Sequence, residues 1–140
     1  MKPEELIEAL NTEIGKLNEQ PIDEFSGDTL SRIGVRLSSY KAGLGKHVSE
    51  AKAEAWRAEK ALAEAKANGY QQMRNDGVSQ GDAKETRITL VAEQYSDWIE
   101  KKKIEDQLVG LSFNISDVID SIKSRLIHLQ MELKESTHFG

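Results

Sequence analysis

The chain has 140 residues, 31% of them charged and 6% aromatic, with no cysteine and a net charge of −5. That length suits one domain, and the missing cysteines exclude disulfides and thiolate metal sites, as suits a reducing compartment. No apolar run approaches the roughly 18 residues that span a bilayer, and the first residues lack a signal-peptide core, so a cytoplasmic protein without membrane contact is expected.

The charge is unevenly spread. Residues 1–28 carry 2 basic and 8 acidic groups, 29–75 carry 9 and 4, 76–106 carry 5 and 8, and 107–140 carry 3 and 4. Net acidity argues against indiscriminate nucleic-acid binding, whereas the basic segment 29–75 leaves a local site open.

In chain order, Pro3 is tolerated in a first helical turn, and Glu4 and Glu5 favour a helix N-terminus. Leu6, Ile7, Leu10, Ile14 and Leu17 form an amphipathic stripe, which predicts a short helix over 3–19. Gln20-Pro21 stops it, because the residue before proline avoids the helical region. After a linker containing Phe25, Asp28 is the expected N-cap of a long helix over 28–75. Its apolar positions are Leu30, Ile33, Leu37, Tyr40, Leu44, Val48, Ala51, Ala55, Ala58, Leu62, Ala65 and Gly69. They alternate by threes and fours, with one stutter at Tyr40–Leu44–Val48, the signature of a coiled-coil seam. From Ala51 onward the seam is alanine, which permits close approach of a partner helix.

Gly69, Gly77 and Gly81 punctuate the end of this helix, and 76–82 is the expected turn. Asp82, with Glu85 three residues on, resembles a capping box opening a second long helix over 83–134. Its first half offers Ile88, Val91, Ala92, Tyr95, Trp98 and Ile99. Glu100 to Asp106, around Ile104, interrupts the stripe, which resumes at Leu108, Leu111, Ile115, Val118, Ile122, Leu126, Leu129 and Leu133. Gly110 within it suggests a bend or tight contact, and the last six residues look frayed.

The expected fold is all-α: one domain over 1–140 made of a long antiparallel, coiled-coil-like hairpin and a short N-terminal helix. Arms of about 45 residues would be roughly 70 Å long. Leu30, Ile33, Leu37, Leu111, Ile115, Val118, Ile122, Leu126 and Leu129 carry more apolar surface than one partner helix and the short N-terminal helix can cover, so they are the expected interface of a homo-oligomer. Light scattering that returned a monomer at micromolar concentration would contradict this.

Catalysis finds little support. His47, His128 and His138 are scattered without HExxH spacing, and 69–81 lacks the pattern of a phosphate loop. No enzyme activity, cofactor or metal site is expected. The chemistry-bearing signal is basic and aromatic. With a turn near Gly77, residues whose numbers total about 154 face each other, which places Trp56 opposite Trp98 and Lys52 opposite Lys102. Lys46, Lys52, Arg57, Lys60, Lys101, Lys102 and Lys103 then share one zone with Trp56, Trp98 and Tyr95. Cations along a backbone with flat rings beneath the bases are how single-stranded nucleic acid is held. The competing reading is a solvated face of i,i+4 pairs such as Lys60 with Glu64, with the tryptophans packed on each other.

The run Ile119-Asp120-Ser121-Ile122-Lys123-Ser124-Arg125, followed by Ile127-His128-Leu129-Gln130, resembles the end of the UvsY-type recombination mediators of tailed phages. Ala61 to Tyr70 is similar to that family's DNA-contacting segment. It keeps Lys66 and Tyr70, but has Glu64 and Asn68 where more basic or apolar residues are expected. The resemblance implies a ring-like homo-oligomer that binds single-stranded DNA and helps a RecA-like recombinase displace single-strand-binding protein. It adds Lys66, Lys123 and Arg125 to the expected DNA contacts, the last two also being candidates for intersubunit pairs. A coiled-coil adaptor or inhibitor that binds another protein without nucleic acid is the alternative.

Overall fold

The computed structural model describes residues 1–77, 79–82 and 91–139, with side chains through 136. Helix α1 spans Pro3–Leu17, a 3-10 turn spans Ile22–Glu24, and two long helices follow, α2 over Gly27–Asn75 and α3 over Ala92–Phe139. No strand occurs among the described residues. None of the helices is long and apolar enough to cross a membrane, again among the described residues. The long helices pack on each other, giving the expected all-helical hairpin arrangement.

Local chemistry sets the ends. The Asn18 N–H bonds to the carbonyls of Ile14 and Gly15, both at 3.2 Å, so α1 closes before the expected residue 19. Ser26, not Asp28, caps α2. Its hydroxyl oxygen accepts the Thr29 N–H at 3.1 Å and its carbonyl accepts the Leu30 N–H at 3.0 Å. Asp28 instead lies in the first turn, where it pairs with Arg32 at 2.7 Å on the exposed surface. The helix ends where Gly77 takes a φ of +86°, a left-handed conformation in which only glycine is unstrained. The Ser79 hydroxyl accepts the Asp82 N–H at 3.3 Å. The expected helix start at Ala83, with Glu85 and Ile88, lies outside the described residues. At its other end α3 continues past Lys134 to Phe139.

The chain expected to form one domain divides by its contacts into two compact units, Met1–His47 with Val109–Gly140, and Val48–Leu108. In the first, α1 runs antiparallel to α2. Glu13 meets Arg36, Leu6 lies against Gly43, and the Met1 carbonyl is 3.0 Å from His47 Nε2. Gly27 of α2 lies beside Leu126 and Leu129 of α3, and Gly34 beside Ile122. A Cβ on Gly34 would stand 3.3 Å from Ile122 Cγ2, so the glycine lets the two helices close tightly. Leu6, Leu10, Leu30, Leu37, Leu44, Ile115 and Ile122 are fully buried here. That corrects the expected oligomer interface at five of its nine positions. Leu30, Ile33, Leu37, Ile115 and Ile122 are buried inside a single chain, and Leu111, Val118, Leu126 and Leu129 are half-buried. The short helix α1 covers more of this surface than expected, its Leu6 and Leu10 being buried in the same unit.

Glu13 is the polar exception in this core. One carboxylate oxygen lies 3.0 Å from Lys16 and 3.6 Å from Arg36, while the other is buried without a hydrogen-bond partner. A half-satisfied buried charge offers little net stability over an apolar residue of the same size. Glu13→Met is therefore expected to hold or raise the urea midpoint. Arg36→Ala should lower stability by about 1 kcal/mol, the upper end for a pair with one exposed partner.

The seam of α3 differs from its expected course. Val91, Gln94, Trp98, Lys101, Glu105, Leu108, Ser112, Ile115, Ile119, Ile122, Leu126 and Leu129 are all buried or half-buried. These steps alternate three and four without a break, so Glu100 to Asp106 does not interrupt the seam but places Lys101 and Glu105 in it. Ile119 is buried where Val118 is half-buried, and Leu111 and Ser112 are both half-buried. Gly110 faces open space, and the helix passes through it. In the second unit this polar part of α3 meets the alanine part of α2, where Ala51, Ala55, Ala58 and Leu62 are buried. Alanine leaves room for Trp98 and for the stems of Lys101 and Glu105.

Candidate nucleic-acid interface

The second unit holds most of the expected binding residues. Ala51, Ala55, Ala58 and Leu62 turn inward, so at about 100° per residue Lys52, Trp56 and Lys60 fall on the side and back of α2. The alanine-rich sequence keeps this stretch helical whatever its outer residues are. Trp56 is 62% exposed, a large apolar ring with the Lys60 ammonium 5.4 Å from its centroid. Lys60 thus sits on the indole, not with Glu64. Lys52 and Arg57 are exposed and have no ion-pair partner among the described residues, and Lys66 is half-buried. The i,i+4 spacing of Trp56 and Lys60 could have shown the cation–ring contact in the sequence.

The α3 cations are spent differently. Lys101 pairs with Glu54 across the helices at 3.7 Å. Lys102 lies 3.1 Å from Glu105 and 3.9 Å from Asp106. The Glu105 hydrogen bond and charge hold the Lys102 ammonium above the usual lysine value, with a smaller contribution from Glu59 across the hairpin. Lys103 is exposed without an ion-pair partner among the described residues. Trp98 is half-buried in the seam and tilts against Tyr95, their centroids 6.0 Å apart and ring planes at 50°. The two tryptophans make no ring contact, although the register matches the expected one: Glu54 meets Lys101, residues whose numbers total close to 154. Opposite positions along two helices do not fix which way side chains turn, and Trp56 turns out while Trp98 turns in.

Lys46, Lys123 and Arg125 belong to the first unit. Lys46 and Lys123 are exposed. Arg125 is committed internally, donating to the Asp23 carbonyl at 3.4 Å and pairing with Glu132 at 3.5 Å, with Nε buried. It ties α3 to the 3-10 turn, so the matched Lys-Ser-Arg stretch presents one free cation where the resemblance implied two. What remains is an α2 face with one open indole and three cations, Lys52, Arg57 and Lys60, suited to a phosphate chain with an unstacked base. Comparison with protein-family models, with curated proteins and with solved structures finds no match to this chain.

Proposed function

We propose that the chain is a non-enzymatic, single-stranded DNA-binding recombination mediator. It would help a RecA-like recombinase replace single-strand-binding protein on the strand. The observation that carries this reading is the exposed Trp56 ring among Lys52, Arg57 and Lys60. An indole left in water at 62% exposure costs apolar burial that a core position would have supplied. Beside unpaired cations it has the chemistry of a stacking platform, which accepts any base because each has a π-face. Duplex DNA keeps its bases stacked on one another and offers this ring nothing. The resemblance of 119–130 to the phage mediators supports the same reading. Mediation then needs no bond chemistry: holding strand and recombinase together raises the local concentration of each for the other.

Titration of a fluorescent oligo-dT 40-mer across a salt series tests the binding step. Affinity should fall linearly in log–log form, and removing Lys52, Arg57 and Lys60 together should make the slope shallower by about 2. Recombinase ATPase on strand precovered with single-strand-binding protein tests the loading step. Absence of binding at low salt would sink the reading. It would favour the protein adaptor, for which Phe113, Ile127 and Met131, 54–70% exposed on α3, supply apolar surface.

A further inference from the structure

Lys52, Trp56 and Lys60 stand four residues apart on α2, so they form one row on successive turns, about 6 Å apart along the helix axis. All three are exposed, in the alanine-rich stretch of the second unit. Helical side chains slant toward the N-terminus of their helix. Lys60, one turn after the tryptophan, therefore leans back toward the ring, and Lys52, one turn before it, leans away. The contacts follow that rule. The Lys60 ammonium lies 5.4 Å from the Trp56 centroid, and Lys52 makes no ring contact among the described residues. Lys60 also has no ion pair among the described residues, so the indole is what holds its ammonium.

An ammonium over the ring occupies a face that a base needs. A cation on an exposed ring is worth about 2- to 5-fold in affinity, and a base stacked on a ring about 5- to 150-fold. The base therefore wins the face. The lysine also gains by leaving, because one phosphate contact on a single strand is worth about 8-fold at about 50 mM salt, more than the ring gives it. On the premise that this face binds a single strand, we propose that Lys60 is a displaceable cap. It holds the empty indole, yields the ring to the incoming base and moves to a flanking phosphate. Lys52 leans the other way, so it takes its phosphate without surrendering a contact. Two exposed lysines of equal charge, one turn either side of the same tryptophan, thus differ in what strand binding costs them. Lys60 exchanges a contact where Lys52 only gains one.

The test uses the full chain, with NMR of the Lys60 ε-methylene protons and an oligo-dT titration across a salt series. In the free protein the indole ring current should shift those protons upfield, a shift that Trp56→Leu abolishes. Saturating oligo-dT should remove the shift from the wild type. In the titration, Lys52→Ala should bind about 8-fold more weakly at about 50 mM salt and meet the wild-type line on extrapolation to about 1 M, the loss of one phosphate contact alone. Lys60→Ala should have the same reduced slope but cross the wild-type line. At about 1 M it should lie about 2- to 5-fold above, because no ring contact is surrendered on binding. Both lysines are exposed on a helix of high intrinsic propensity, so the variants keep the fold. An unshifted Lys60 in the free chain, a shift that survives saturation, or a Lys60→Ala line that only meets the wild-type line would each overturn the cap while leaving strand binding intact. A chain that shows the ring-current shift but binds no oligo-dT at low salt would overturn strand binding itself, and the displacement with it.

Discussion

Trp56→Ala is expected to weaken oligo-dT binding by roughly 5- to 150-fold, the equivalent of about 1–3 kcal/mol for one base stacked on one aromatic ring. Two features separate this from a general loss of charge. The salt slope should stay as in wild type, because no cation leaves and the same number of counterions is released. Trp56→Phe should keep most of the affinity, since the ring face survives. Stability should barely change, because the residue is 62% exposed. Trp98→Ala should behave in the opposite way. That indole is half-buried in the seam against Tyr95, so its loss should lower the unfolding midpoint more than it alters strand affinity. If Trp56→Ala bound as tightly as wild type, the strand would not lie on this face.

The contrast between the two tryptophans shows where the sequence stops being informative. Periodicity assigned α2 almost residue by residue, because its apolar positions are either aliphatic or alanine and step without ambiguity. It also gave the register, since a hairpin of two long helices has one turn to place. In α3 the same rule erred twice. Val118 was the expected seam residue, yet the three-four spacing from Ile115 selects Ile119, the more buried of the two. Lys101 and Glu105 looked like an interruption because charge normally marks the outside. They occupy the seam because alanines opposite leave space for their stems, and their heads reach Glu54 and Lys102 at its edge. The state of the α3 cations was equally hidden. Three consecutive lysines look like an open basic patch until carboxylates one turn away or across the hairpin engage two of them. Arg125 gave no sign of its partner in the 3-10 turn, which lies about a hundred residues earlier in the chain.

Leu37→Ala is expected to cost about 2–5 kcal/mol, the range for a fully buried leucine truncated in a packed core. Leu37 has no exposed surface, and Leu30, Leu44, Ile115 and Ile122, likewise buried, belong to the same unit. Because α1 covers one side of α2 and α3 the other, the cavity cannot collapse without moving two helices. At about 3 °C per kcal/mol for a chain of this size, thermal unfolding should fall by roughly 6–15 °C. Ile127→Ser, at a position 58% exposed on α3, should shift stability by no more than about 0.5 kcal/mol. The decisive readout is how the Leu37→Ala effect depends on protein concentration. A residue buried within its own chain destabilises equally at every concentration, whereas one at an interface between copies costs more as the protein is concentrated into its assembled state. A concentration-independent loss supports the three-helix core. A loss that vanished on dilution would return Leu37 to the contact between copies and leave α1 without its proposed role as the cover.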